Sequence, residues 1–168
     1  MTGMGTSLWL VDGTPFAFAP GRPYSLLVDT LELFGPFQVP NALMLYVQSK
    51  AYNLSICERE SLARLGVPYI PDMQFTDIIL YSKESNRLYL LDISTSHGPI
   101  TEQRKRILEE YFKNCRAGRV YVSVFFNRDD YSPFAEEIAW GSHVWMVQIP
   151  NYLIAYVESS FELAEERS

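Results

Sequence analysis

Residues 75–100 read FTDIILYSKESNRLYLLDISTSHGPI, and the fold turns on how they divide. Two runs dense in Ile, Leu and Tyr, 75–81 and 88–95, flank the polar stretch 82–87. Runs of this kind read as strands, and the polar stretch is about as long as a hairpin loop. Each run is interrupted by one acid, Asp77 in the first and Asp92 in the second. A carboxylate among residues that pack on both faces is costly to bury unless something pairs it. The hairpin would carry both acids to the same end of a sheet. With a third carboxylate such as Glu32 they would form an all-oxygen site, which suits a hard cation such as Mg²⁺. Equally, each acid could cap a strand end or pair with an arginine. Acids gathered for a metal repel one another without it, so removing Asp92 is expected to relieve strain.

After the second run, Thr95-Ser96-His97-Gly98-Pro99 makes a turn. Its hydroxyls and imidazole can contact phosphate, place a water or orient a base; equally they can cap the turn. Thr101 can cap a helix whose apolar stripe is Ile107, Leu108, Tyr111, Phe112 and Cys115, with Gly118 ending it. Residues 120–126 read as a buried strand, 133–138 as a short helix, and 144–149 and 153–157 as two more strands.

Upstream, residues 6–18 alternate loosely, as a hairpin or edge strand would, before a Pro20-Gly21 turn. Leu26, Leu27, Thr30, Leu31 and Phe34 follow helical spacing, with Asp29 and Glu32 on the polar side and Gly35-Pro36 as the stop. Residues 42–47 form a short strand and 58–65 a short helix closed by Gly66. The order of elements predicts an α/β domain with a mixed central sheet flanked by helices. No repeat or linker divides residues 1–168, so one domain is expected, with a frayed acidic end at 162–168.

The chain carries a formal net charge of −6, which argues against a protein that coats nucleic acid. The distribution is uneven. Arg104, Lys105, Arg106, Lys113, Arg116 and Arg119 face only Glu102, Glu109 and Glu110 within residues 100–119, whereas the last forty residues are strongly acidic. A basic helix could present a local face to DNA phosphates, with Arg104, Lys105 and Arg106 on its solvent side. Cys57 and Cys115 stand apart and read as thiols of a reducing compartment. No apolar run approaches the roughly 20 residues of a membrane span. A cytoplasmic protein is expected.

The stretch beginning at Phe75 and running through the basic helix is similar to the signature of the BsuBI/PstI restriction endonucleases. There a PD-initiated strand precedes a strand ending in an acid, a T-S-x-G-P turn and a helix starting near an arginine. APGRPYSLLVDTLELF, LMLYVQSKAYNLSI and ESLARLGVPY resemble the first helix, first strand and short helix of that domain. IAWGSHVWMVQIPNYLIAY resembles its W-x-x-x-V-W segment and the strand after it. The likeness runs from about residue 17 to 161.

That resemblance implies a restriction-endonuclease-like PD-(D/E)xK fold and Mg²⁺-dependent hydrolysis of DNA phosphodiesters, with Mn²⁺ as a substitute. It puts Asp77 and Asp92 on the two motif acids and Glu32 on the helix acid that completes such sites. Ser94 stands where the superfamily has a catalytic lysine. Thr95, Ser96, His97 and Gly98 fall on the turn, with Arg104 or Arg106 at the basic helix start; a literal Pro71-Asp72 also occurs just before Asp77, but Asp77 lies in the strand-forming run and Asp72 in a turn. Several positions depart from the pattern. Thr76 replaces the motif proline, and Asp92 stands for a usual Glu. Gln48-Ser49-Lys50 replaces Gly-Asp-Thr, and Tyr152 and Ala155 stand at two histidine positions. The expected partner is double-stranded DNA, bound weakly by this chain alone, with a homodimer or protein partner as a further expectation. Two functions follow: a nuclease of restriction or phage-defence type, or a catalytically impaired domain of that fold serving as an interaction subunit.

Overall fold

The computed structural model describes residues 8–17, 25–50, 52–69, 76–96 and 98–157. Within them an eight-stranded mixed sheet runs β1-β2-β4-β5-β6-β7-β8, with β3 paired to β2. The strands are β1 (Leu8–Trp9), β2 (Ala42–Ser49), β3 (Leu54–Cys57), β4 (Ile78–Ser82), β5 (Arg87–Ile93), β6 (Gly118–Phe125), β7 (His143–Met146) and β8 (Leu153–Ala155). β5, β6 and β7 are parallel neighbours, while β2–β4, β4–β5 and β7–β8 are antiparallel. No helix among the described residues is long and apolar enough to cross a membrane.

The expected hairpin forms. β4 and β5 pair from Ile78↔Leu91 to Ser82↔Arg87, and the turn closes on Asn86 with a left-handed φ of 52°. Asn tolerates that conformation better than most residues with a Cβ. The sheet is covered on both sides. Helix α1 (Leu26–Gln38) lays Leu26, Leu31 and Phe34 against Ile78, Leu80, Leu91, Ile93 and Trp145. On the other face, Leu62 of α2 (Arg59–Arg64) and Leu108 of α3 (Glu102–Tyr111) pack with Ile79, Leu88, Leu90 and Tyr121.

Several boundaries differ from the sequence expectation, each for a physical reason. Helix α1 does not stop at Gly35-Pro36 but continues to Gln38. Its last turn is held from outside: Phe34 is fully buried with its ring 5.2 Å from that of Trp145, and Gln38 Nε2 donates to the Pro150 carbonyl at 2.8 Å. β3 was not expected; it returns from β2 through a turn in which Asn53 has φ 49°. Helix α3 ends at Tyr111, so Gly118 opens β6 instead of closing the helix. Asn127 caps α4 (Arg128–Tyr131), and a 3₁₀ turn follows at Ser132–Phe134, so this helical stretch starts before residue 133. Pro20-Gly21 and the acidic end at 162–168 lie outside the described residues.

Candidate functional site

Asp77 immediately precedes β4 and Asp92 is the penultimate residue of β5. Continuing the Ile78↔Leu91 register by one step sets the two acids opposite each other at one end of the hairpin. Side chains of opposed antiparallel residues project from the same face. Leu91 and Ile93 pack on the α1 side, so strand alternation turns Asp92 toward α3. Asp92 is 1% exposed and Asp77 8%.

Both acids are engaged. Asp77 Oδ2 accepts the Ile93 amide at 2.7 Å, and its Oδ1 accepts the Ser96 hydroxyl at 3.1 Å. The first bond takes over where the β4–β5 backbone ladder runs out. The second ties the turn after β5 back to the start of β4. Asp92 Oδ2 accepts from Arg104 Nε at 3.0 Å. Thr101 caps α3 by accepting the Arg104 amide at 3.2 Å, which fixes the backbone from which that guanidinium reaches. The repulsion expected between two gathered acids is thus offset by an arginine.

The other sequence-derived residues are distributed as follows. Ser94 continues the sheet, its amide donating to the Val124 carbonyl at 3.0 Å. Thr95 and Ser96 are exposed in the turn, whereas His97 lies outside the described residues, as does Asp72. Glu32 is exposed on α1, which covers the face opposite α3. Among the described residues, no group of three or more Asp, Glu, His or Cys is placed to hold a metal. The structure therefore brings Asp77 and Asp92 together and leaves Glu32 outside that pair.

The three adjacent bases do not form one face. Arg104 turns inward onto Asp92. Lys105 has a side chain only 15% exposed; its Nζ pairs with Glu109 at 3.0 Å and stands 5.8 Å from the centre of the Tyr121 ring. Burial pushes the Tyr121 phenol up to about 12. Only Arg106 of the three is exposed, between a groove lined by Pro68, Ile107 and Tyr111 and another lined by Gln103, Glu137 and Trp140.

One residue of this neighbourhood escaped the sequence reading. Ser123 is fully buried on β6, opposite Asp92 in the parallel register, and its Oγ accepts the Ile100 amide at 2.8 Å. That bond seats the chain entering α3. Its signal was the same as that of the acids: one polar residue inside the apolar run VYVSVF.

Two carboxylates from facing strand ends fit a hard divalent cation. Mg²⁺ takes oxygen ligands, is commonly held through one or two carboxylates, and keeps waters and substrate phosphate for its other positions. A cation there must share or take Asp92 from Arg104.

Residues 7–159 match the BsuBI/PstI restriction endonuclease domain. The type II restriction enzyme BsuBI of Bacillus subtilis is 29% identical over 147 residues, covering 88% of this chain and 46% of that enzyme. The structure of SdaI restriction endonuclease superposes with a TM-score of 0.78 at 30% identity, over 95% of this chain and 50% of SdaI. The chain spans about half the length of these relatives.

Proposed function

The chain belongs to the BsuBI/PstI restriction endonuclease domain family, and from that premise we propose that it hydrolyses DNA phosphodiesters in a divalent-metal-dependent reaction. The observation that carries the proposal is the opposition of Asp77 and Asp92 at one hairpin end, with the Thr95–Ser96 turn tied to Asp77 through the Ser96 hydroxyl. Asp77 and Asp92 hold Mg²⁺, or Mn²⁺ in its place. When bound, that ion polarises the phosphoryl oxygen and supplies hydroxide from water. Thr95 and Ser96 offer hydroxyls to the substrate phosphate, and His97 orients the attacking water. Ser94, two residues after Asp92, shares its side of the strand by alternation. Arg106 contacts the DNA backbone. The setting is restriction or phage defence in the cytoplasm, and the residues act as one domain.

A second reading has its own observation. Arg104 neutralises Asp92, as it would in a domain that keeps the fold without the chemistry and binds a protein partner or a second copy. Incubating purified chain with supercoiled plasmid in Mg²⁺, Mn²⁺ or EDTA separates the two. The nuclease reading expects nicked or linear DNA with either metal and none with EDTA or with Asp77→Asn. Intact plasmid throughout, from a folded chain, supports the interaction subunit.

A further inference from the structure

We propose that Arg104 is the resident counter-ion of the metal-free site, neutralising Asp92 until a divalent cation displaces its guanidinium. The inference rests on the reading of Asp77 and Asp92 as a divalent-cation site. A carboxylate that is 1% exposed cannot remain charged at acceptable cost without a partner, and the Arg104 side chain supplies one at 3.0 Å. The guanidinium reaches that carboxylate through Nε, which donates to Oδ2. The Arg104 backbone is anchored by the Thr101 cap, so a release requires the side chain alone to move. At 21% exposure that side chain already touches solvent and has a way out, whereas Asp92 has none. A guanidinium and a divalent ion on the same buried carboxylate repel each other strongly, so the two occupy it in turn. Arg104 therefore sets both the stability of the unloaded fold and the concentration at which metal enters.

The test uses EDTA-stripped protein and Mn²⁺ alone, without DNA, read by calorimetric titration and by thermal melting. Arg104→Met keeps the length of the side chain and removes its charge. It should melt lower than the parent in EDTA, bind Mn²⁺ on the order of tenfold more tightly, and recover more of its melting temperature on loading. Arg104→Lys, which keeps a charge but offers a different donor geometry, should fall between the two. Asp92→Asn should lose the binding. If Arg104→Met does not fold without metal, the Lys variant decides: tighter Mn²⁺ binding than the parent supports the proposal, and equal or weaker binding overturns it. Equal Mn²⁺ affinity for the parent and Arg104→Met sinks the displacement idea while leaving the metal site standing. If neither binds Mn²⁺, the reading of Asp77 and Asp92 as a metal site falls, and the displacement idea with it.

Discussion

The Ile93 amide donates to Asp77 Oδ2 at 2.7 Å, so a side chain at the entrance to β4 extends the pairing beyond the backbone ladder. Asp77 is thereby a structural residue as well as a candidate ligand. Asp77→Asn keeps one carbonyl oxygen for that amide and should cost about 1 kcal/mol, while Asp77→Ala strands a buried donor and should cost ~2–3 kcal/mol. Urea denaturation measures the difference. Both variants should lose plasmid cleavage equally, and retained cleavage in Asp77→Asn would remove Asp77 from the chemistry.

Breaking the Asp92–Arg104 pair should be asymmetric. Asp92→Ala leaves a guanidinium that can turn to solvent, costing about 1 kcal/mol, so the relief of strain expected from the acids alone is not recovered. Arg104→Met leaves the carboxylate buried and should cost ~3 kcal/mol. Denaturant titrations in EDTA compare them. Equal costs would mean that Asp92 reaches water as easily as Arg104 does.

Charge reversal at the three adjacent bases should divide as their surroundings do. Arg106→Glu is expected to weaken DNA binding in anisotropy titrations at two salt concentrations while changing stability by less than about 0.5 kcal/mol. The triple reversal of Arg104, Lys105 and Arg106 should lower the melting temperature outright. It sets two acids on each other at Asp92 and a third against Glu109. Unchanged binding by Arg106→Glu would show that its charge is merely solvated.

His143, half-buried on β7, has its imidazole pushed below its ordinary value of 6.5 by desolvation. The unfolded chain then takes up a proton more readily than the folded one. Stability falls as pH drops below 6.5, until the lowered folded value is passed. His143→Gln should flatten that part of the stability profile, read by urea midpoints between about pH 5 and 7.5. The same slope in the variant would assign it to other groups.

What was legible in the sequence follows a physical divide. The β4–β5 hairpin, α3 and β6 could be read because their apolar patterns and turn residues are local, and Asp77 and Asp92 stood out against those patterns. The end of α1 could not be read, because Trp145 and the Pro150 carbonyl, which hold Phe34 and Gln38, are distant in the chain. β3 was missed because Leu54–Cys57 is short and half-exposed and gains its identity only from pairing with β2. The division of Arg104, Lys105 and Arg106 into three environments was equally hidden. Helical spacing gives the direction of a side chain but not what it meets.

The parallel pairing of β5 with β6 imposes an order in time on the site. The β4–β5 hairpin closes over residues 83–86, so Asp77 and Asp92 can meet through local contacts alone. Asp92 acquires its roof only when the chain has crossed through α3 and returned as β6 beside it, a longer and slower closure. The same crossover delivers Arg104 and Ser123, so wall and counter-charge arrive in one step. The wall that buries the carboxylate and the charge that neutralises it thus come from one continuous segment of chain.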